Sequence, residues 1–313
     1  MGKTISVALI GNPNTGKSSV FNTLTGLKQA IGNYPGVTVE KKIGNFEIDR
    51  TTNVQLIDLP GTYGLNTQSI DQSIVFDLLL NKNNKDFPDL VVIVADVENL
   101  KRNLLLFSQI KDLEIPTILV INMSDQLRYK GIEINLNKLE IELKTKVVLV
   151  SARKNQGFEI LKSEIKNYRN LSNKPAFDMN EIDPEYFSNL QKTFSGQSVY
   201  KLWLLITQDI NFSKLERNKI DDKGKFKTQT ESYLKKLQQR ETIKRYQSIN
   251  NLLKEAYVKD DKKATGLRSV IDRVLLHSVW GYLIFFSILL LIFQVIFDWS
   301  SIPMDFIDST FVS

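Results

Sequence analysis

The sequence predicts an α/β domain with a mostly parallel sheet and helices on both faces, followed by a small helical domain and one transmembrane helix. The first observation is that short β-branched segments alternate with helical segments up to about residue 170. Strands that are apolar on both faces and separated by helices are typical of a parallel sheet buried on both sides. The other two observations are a region with helical spacing but no strand pattern, and an uncharged apolar segment near the C-terminus. Together they predict domains at 1–170, 171–265 and 266–313.

Composition excludes several classes of site. The chain is 42% hydrophobic and 24% charged, with a formal net charge of +6, a balance that is normal for a globular protein. It contains no cysteine, which excludes disulfides, thiolate nucleophiles and thiolate metal sites. No signal peptide is predicted, because the first strand begins almost at the N-terminus.

Each strand of the sheet is predicted from a short apolar segment. The parallel strands are expected at 5–10, 54–59, 90–95, 117–121 and 147–150. The segment Lys41–Asp49 and the polar residues after it predict a strand and a turn that lead into an antiparallel neighbour. The strand pattern ends after Pro175, and helical spacing extends from Tyr186 to about Lys263, where Trp203 is expected to be a core residue.

The segment Val279–Phe297 is almost wholly apolar. Nineteen residues at about 1.5 Å each span roughly 28 Å, close to the hydrocarbon thickness of a bilayer. A buried helix of this length in a soluble core would normally carry a polar stripe, so a transmembrane helix is favoured. Five basic residues precede the segment and only acidic charges follow it, which places the preceding domains in the cytoplasm. A short amphipathic helix at the interface is expected just before the span, from about residue 266.

The loop after the first predicted strand reads GNPNTGKSS, residues 11–19. It matches the phosphate-binding pattern G-x-x-x-x-G-K-[ST] between a strand and a helix. Backbone N–H groups of such a loop approach the phosphates, and the helix N-terminus adds a favourable field. Lys17 is expected to bridge the β- and γ-phosphates and Ser18 to bind Mg²⁺. The loop residues predicted to contact nucleotide are Gly11, Asn14, Thr15, Gly16, Lys17, Ser18 and Ser19.

The base specificity is predicted from Asn122-Met123-Ser124-Asp125, which ends the strand at 117–121. The Asp125 carboxylate can accept hydrogen bonds from guanine N1–H and the exocyclic amino group, a pair of donors that adenine does not offer there, so GTP and GDP are favoured. Taken alone, N-x-x-D could be a helix N-cap. The segment Ser151-Ala152-Arg153 after the next strand supports the nucleotide interpretation, because that loop can offer a backbone N–H to guanine O6.

Two further segments are predicted to be nucleotide-dependent switches. Asp58-Leu59-Pro60-Gly61 ends a strand, and we expect Asp58 to hold Mg²⁺ through water and the Gly61 N–H to sense the γ-phosphate. The residues from Gly32 to Glu40 are expected to be flexible, with Gly36 at the nucleotide and Thr38 as a Mg²⁺ ligand only when GTP is bound. The order of all five motifs predicts a P-loop GTPase.

These segments resemble the N-terminal part of ferrous iron transport protein B, the FeoB family. The resemblance rests on GNPNTGKSSVFNTLTG, GNYPGVTVEKK, DLPGTYGL, ADVENLKRNLLL, NMSD and IDRVLLHSVWGYLIFF. It extends from residue 5 to about residue 297. It implies a GTP-hydrolysing domain, a helical domain that links it to the membrane, and then a polytopic Fe²⁺ permease in a bacterial inner membrane, with the N-terminal domains in the cytoplasm.

The resemblance also implies how hydrolysis is assisted. Thr62 stands where Ras-like proteins carry a water-positioning glutamine. The family uses instead a K⁺ ion beside the phosphates, ligated by the residue matching Asn14 and by carbonyls of the first switch. Asn14 could also be simply a polar loop residue. The implied catalytic residues are Asn14, Lys17, Thr38 and Gly61, with GTP/GDP, Mg²⁺ and K⁺ as ligands.

The expected partners follow from the same resemblance. They are the bilayer, a permease portion in the same or a separate chain, Fe²⁺ bound outside this chain, a small cytosolic regulatory protein and a second copy of the chain, with no nucleic acid. One span cannot enclose a pore, so we expect this sequence to be a fragment or a natural truncation. A ribosome- or tRNA-associated GTPase is an alternative, but the helical region has mixed charge and no KH-type GXXG. A dynamin-type GTPase would need long helical stalks.

Overall fold

The computed structural model describes residues 3–27, 29–34, 40–65, 70–207, 231–260, 263–265 and 274–299. The chain divides into two compact units. The first comprises Met1–Leu127 and Glu133–Val258, and the second comprises Arg128–Ile132 and Lys259–Ser313. The first unit contains the sheet and the helical region together, while the predicted boundary at residue 170 stays a prediction.

A seven-stranded sheet forms the centre of the first unit, in the order β2-β3-β4-β1-β5-β6-β8. The central pairs β1–β4, β1–β5, β5–β6 and β6–β8 are parallel, whereas β2–β3 and β3–β4 are antiparallel. The sheet is therefore mostly parallel, as predicted. Its strands are β1 (Lys3–Gly11), β2 (Gln29–Asn33), β3 (Glu40–Asp49), β4 (Thr52–Asp58), β5 (Leu90–Asp96), β6 (Thr117–Asn122) and β8 (Lys146–Leu149).

The predicted parallel strands and the antiparallel hairpin are confirmed, with ends that differ by at most two residues. Gly32 and Asn33, at the start of the segment expected to be flexible, belong to β2 and pair with Lys41 and Glu40 of β3. All five residues of β2 are exposed, so β2 carries no alternating apolar pattern. Backbone pairing to a neighbouring strand, which local composition does not reveal, decides its conformation.

Helices cover both faces of the sheet. On one face Ile5, Val7 and Leu9 of β1 join a buried cluster with residues of α1 and α6. Ala8 and Ile10, which point to the opposite face, are also fully buried. The helices of this region are α1 (Lys17–Thr25), α2 (Ile70–Leu80), α3 (Leu100–Lys111), α4 (Leu127–Lys130), α5 (Leu136–Leu143) and α6 (Phe158–Lys166).

Three helices follow in the region predicted to be helical, namely α7 (Pro184–Thr193), α8 (Val199–Thr207) and α9 (Glu231–Ala256). Trp203 is a core residue, as predicted, and it packs edge-to-face against Tyr186 and Phe187. The expectation of no further strand is wrong, since β9 (Tyr257–Lys259) pairs with β7 (Ile132–Ile134) in a second, two-stranded sheet. Three-residue strands are too short to leave a periodic signal.

The apolar segment near the C-terminus forms α10 (Trp280–Gln294), which continues as a π-helical turn at Val295–Trp299. Among the described residues, one helical segment, Trp280–Phe297, is long enough and apolar enough to cross a membrane, with a mean hydropathy of 2.3. Its large apolar side chains are exposed. The interfacial helix predicted from about residue 266 lies largely outside the described residues.

Candidate nucleotide-binding site

The phosphate-binding loop lies between β1 and α1, as predicted, and its glycines stand where side chains would collide. A Cβ on Gly11 would lie 2.5 Å from the Val94 carbonyl oxygen, and one on Gly16 would lie 2.4 Å from Asn122 Nδ2. Gly16 has a φ of +77°, a left-handed conformation that glycine adopts without penalty. Asn14 is also left-handed, with a φ of +68°. The sequence pattern therefore reflects both steric contacts and backbone conformation.

Asn122 joins this loop to both loops predicted to bind the base. Its Nδ2 donates to the Thr15 carbonyl at 3.0 Å, and its Oδ1 accepts from the Ala152 N–H at 3.1 Å. Asn122 is buried at the end of β6, and its bond to Thr15 is buried with it. One backbone N–H of the loop that we expected to offer a donor to guanine, that of Ala152, is thus bonded to Asn122.

The Asp125 carboxylate is held by a serine of the neighbouring loop. Ser151 Oγ donates to Asp125 Oδ1 at 2.6 Å, and the Ser124 N–H donates to the Val150 carbonyl at 3.0 Å. Met123, between Asn122 and Ser124, has a φ of +64°, which turns the chain sharply after β6. These contacts bring the two base-binding segments of the sequence together and fix the carboxylate.

Lys17 and Asp58 form an ion pair in which both side chains are about nine-tenths buried, at 12% and 9% exposed. Both were predicted to act on the nucleotide, one on phosphates and one on Mg²⁺. Ser18 and Ser19 are exposed at the start of α1. A serine hydroxyl and a carboxylate are hard oxygen donors of the kind that Mg²⁺ binds, so Ser18 and Asp58 fit this ion.

The predicted second switch begins with Asp58–Gly61 and lies against the phosphate-binding loop. A Cβ on Gly61 would be 3.5 Å from Pro13, and the Thr62 N–H donates to the Gly11 carbonyl at 3.2 Å. From α3, Gln109 Oε1 accepts a hydrogen bond from the Leu65 N–H at 2.9 Å. Movement of Gly61 would therefore displace the following residues as far as Leu65, which Gln109 holds.

The structure describes only part of the predicted first switch, Gly32–Glu40. Gly36 and Thr38, predicted to bind nucleotide and Mg²⁺, lie outside the described residues. Tyr34, just before them, is buried and its hydroxyl donates to the Asp58 carbonyl at 3.4 Å. Burial, together with the nearby Asp58 charge, raises the pKa of Tyr34, so the phenol stays neutral and remains a donor.

Two asparagines of the loop differ in their surroundings. Asn14, the predicted K⁺ ligand, is exposed, and its amide oxygen is a donor suited to a hard monovalent cation. Asn12 is only 3% exposed, and among the described residues neither of its amide atoms has a hydrogen-bond partner. Sequence reasoning missed Asn12, since an asparagine after the first glycine of the loop carries no signal of burial.

Comparison with known proteins shows which family the chain belongs to. The family model for ferrous iron transport protein B matches residues 5–165, slightly more than half of the chain. The chain belongs to the FeoB family. It is 32% identical over 320 residues to the Fe(2+) transporter FeoB of Leptospira biflexa, covering 98% of this chain and 45% of that protein. With the Staphylococcus aureus strain MSSA476 protein of the same name, identity is 34% over 321 residues, covering 97% and 47%.

Solved FeoB structures show the same fold. The cytosolic domain of the T. maritima FeoB iron transporter in a GDP form matches with a TM-score of 0.67 and 31% identity, covering 82% of this chain and all of that one. The cytosolic domain of L. pneumophila FeoB also gives a TM-score of 0.67, at 29% identity, with the same coverage. The sequence resemblance to FeoB is thus confirmed, and with it the P-loop GTPase fold. The chain spans about half the length of the curated FeoB relatives it matches.

Proposed function

We propose that this chain binds GTP and hydrolyses it to GDP and phosphate. The observation that carries the proposal is the Asp125–Ser151 hydrogen bond of 2.6 Å beside the Asn122 bridge from the phosphate-binding loop. A fixed carboxylate can accept from the two guanine donors, whereas adenine does not offer this pair of donors, so the hydrogen bonds to the base would be lost with ATP. The T. maritima relative has been solved in GDP and GMPPNP forms, which supports the same ligand class here.

Binding of the triphosphate would exchange the partners of one ion pair. The Lys17 ammonium, which contacts Asp58, would turn to the β- and γ-phosphates, and Asp58 would then face Mg²⁺ together with Ser18 and Thr38. The ion supplies positive charge that neutralises phosphate oxygens as the γ-phosphoryl group leaves. The Gly61 N–H would donate to the γ-phosphate and so report its presence.

A second cation would take the place of a catalytic side chain. Thr62 offers no amide to position water, and the exposed Asn14 oxygen fits K⁺. A K⁺ ion there supplies the positive charge that an arginine finger supplies in other GTPases. Asn14, Lys17, Thr38 and Gly61 are therefore the residues proposed to act in hydrolysis. Gly11, Thr15, Gly16, Ser19, Gly36, Met123 and Ala152 are proposed to line the nucleotide.

The membrane context extends the proposal. The exposed apolar helix Trp280–Phe297 is proposed to span a bacterial inner membrane, with the nucleotide site in the cytoplasm. Relatives carry the name Fe(2+) transporter, and we propose that GTP-dependent switching in this chain is coupled to ferrous iron uptake through a permease portion. Fe²⁺ would bind outside this chain.

Base selectivity tests the nucleotide proposal. With the full chain in detergent, Asp125→Asn is expected to lower GTP affinity by about tenfold or more, since two hydrogen bonds to a charged acceptor are lost. Xanthosine triphosphate, which has an oxygen in place of the amino group, should bind the variant better than wild type. Asp178→Asn, at a remote helix cap, is the matched control. Equal GTP affinity in wild type and Asp125→Asn would contradict the proposal.

Hydrolysis in KCl and in NaCl at matched ionic strength tests the second cation. Wild type should be faster in KCl, and Asn14→Ala should remove the difference while it retains GTP binding. Equal wild-type rates in the two salts would remove Asn14 from the catalytic residues.

Iron uptake tests the coupling. Cells lacking their own ferrous transporter would produce this chain joined to the permease portion of a FeoB relative, with Lys17→Met as the comparison. Uptake that is the same in both would contradict coupling to GTP.

A further inference from the structure

Helix α3 contacts the second switch through two side chains of one face. Gln109 Oε1 accepts from the Leu65 N–H at 2.9 Å, and the Arg102 guanidinium stacks on the Tyr63 ring at 3.8 Å. Arg102 and Gln109 are seven positions apart, which places them on the same side of a helix about two turns apart. Gln109 is buried, so its hydrogen bond does not compete with water.

The C-terminal turn of α3 contacts α9 through a buried charge network. Arg245 Nη1 lies 2.7 Å from Asp112 Oδ2, and its Nε donates to Glu241 Oε1 at 2.8 Å. Arg245 Nη1 also donates to Ser108 Oγ at 3.1 Å. Ser108 and Asp112 are one helical turn apart, beside the face that carries Gln109. The same short helix end is therefore fixed to the switch on one side and to α9 on the other.

These contacts connect the nucleotide site with the helical region. The loop from Gly61 to Leu65 begins with the residue proposed to sense the γ-phosphate, and Gln109 holds its far end. Closely packed side chains do not deform gradually, so displacement of Leu65 either breaks its bond to Gln109 or shifts α3. A ligand changes such an equilibrium only if it interacts differently with the two states, and the γ-phosphate supplies that difference at Gly61.

We propose that Gln109 is a positioning residue that holds the loop Gly61–Leu65 in the arrangement it has without a γ-phosphate, and that α3 transmits the release of this loop to α9 through Asp112 and Arg245. The inference rests on the proposed function, because it assigns a route of regulation to the same nucleotide site. In the triphosphate state the Leu65–Gln109 bond is broken, the end of α3 loses one constraint, and the region of α9 around Arg245 becomes less protected.

Hydrogen exchange of α9 tests this route in the full chain in detergent. In wild type, amides from Leu237 to Ile249 should exchange about two- to tenfold faster with GMPPNP than with GDP, the range that one neutral hydrogen bond supplies. Gln109→Met keeps the size of the side chain but removes the acceptor, so its GDP state should exchange like the wild-type GMPPNP state. Gln109→Glu keeps an acceptor oxygen and should retain the difference. Gln239→Met, the same change at an exposed position of α9, should behave as wild type.

Arg102→Met provides a second variant in case Gln109→Met does not fold. Arg102 is exposed, so its loss removes the stack on Tyr63 without opening the core, and it should reduce the nucleotide-dependent difference in the same direction. A full wild-type difference in Gln109→Met overturns the inference, as does the same α9 exchange in wild type with either bound nucleotide. Failure of wild type to bind either nucleotide would instead contradict the proposed function.

Discussion

Two ion pairs of the first compact unit differ in what surrounds them. Lys17 and Asp58 retain exposed fractions of 12% and 9% and lie at the edge where the phosphate-binding loop opens. Arg245 and Asp112 are 0% and 1% exposed, and Glu241 completes their network from the same helix as Arg245. We expect the first pair to exchange its partners for a phosphate and a cation, whereas the second is fully buried and serves as a fixed joint.

The fixed pair illustrates why a buried charge network does not tolerate the loss of one member. Asp112 also accepts hydrogen bonds from the Ala176 and Phe177 N–H groups, and Trp203 Nε1 donates to Glu241 at 2.8 Å. Burial lowers the pKa of Arg245 but the two carboxylates raise it further, so the net direction is upward and the guanidinium stays charged. Removing one member leaves the others charged without compensation.

Breaking the fixed pair should have the largest effect. Arg245→Met leaves Asp112 and Glu241 buried without their cation, and we expect a loss of about 3–5 kcal/mol in the free energy of unfolding. Urea denaturation of the full chain measures it, with Arg240→Met, an exposed arginine of the same helix, as the control. Matching unfolding midpoints for the two variants would show that the network does not stabilise the fold.

Breaking the exchangeable pair should affect ligand binding more than stability. Lys17→Met removes a charged donor to the phosphates, worth about 1.5–3 kcal/mol, or roughly ten- to hundredfold in GTP affinity. Fluorescent GTP titration measures the affinity, and Lys236→Met on α9 is the control. If GTP bound equally well to both variants, Lys17 would not contact the phosphates.

A buried lysine near the second pair, Lys111, extends the comparison to the pH dependence of stability. Lys111 is buried beside this joint and donates to the Ser172 carbonyl. Burial lowers the pKa of Lys111 to about 8, below the value of about 10.4 in an unfolded chain. Between these values the unfolded state binds a proton that the folded state has lost, so this contribution to stability rises with pH. Below about pH 8 both states are protonated and the contribution is constant.

The free energy of unfolding is expected to rise by about 1–2 kcal/mol between pH 8 and about pH 9.5 because of Lys111. Lys111→Met should lack this rise, whereas Lys162→Met, at a partly exposed position of α6, should retain it. The measurement is urea denaturation at each pH. Parallel stability profiles for wild type and Lys111→Met would mean that Lys111 titrates as an exposed lysine.

The smallest expected effect concerns the base. Ser151→Ala removes one hydrogen bond to Asp125, so the preference for GTP over ATP should fall about threefold, or roughly 0.7 kcal/mol. Competition titration of the two nucleotides measures it against Ser163→Ala, an exposed serine of α6. An unchanged preference would indicate that Asp125 does not depend on Ser151 for its position.

The accuracy of the sequence predictions differs between elements for physical reasons. The parallel strands β1, β4, β5, β6 and β8 are largely buried and each contains a short apolar segment, and these were predicted correctly. The exposed edge strand β2 and the three-residue strands β7 and β9 leave no such pattern and were missed. The site residues stay proposals, although the structure brings the phosphate-binding loop, Asp58 and the two base-binding segments to one edge of the sheet.

The sequence by itself determined the phosphate-binding loop, the order of the nucleotide motifs, the family and the apolar helix, because each depends on residues that are close together in the chain. Only the tertiary structure decided the partners of Asn122, Gln109 and Arg245. These side chains contact residues 107, 44 and 137 positions away in the chain, and no local pattern encodes such a pairing. Two of these contacts, those of Gln109 and Arg245, involve α3, which packs between the second switch and α9.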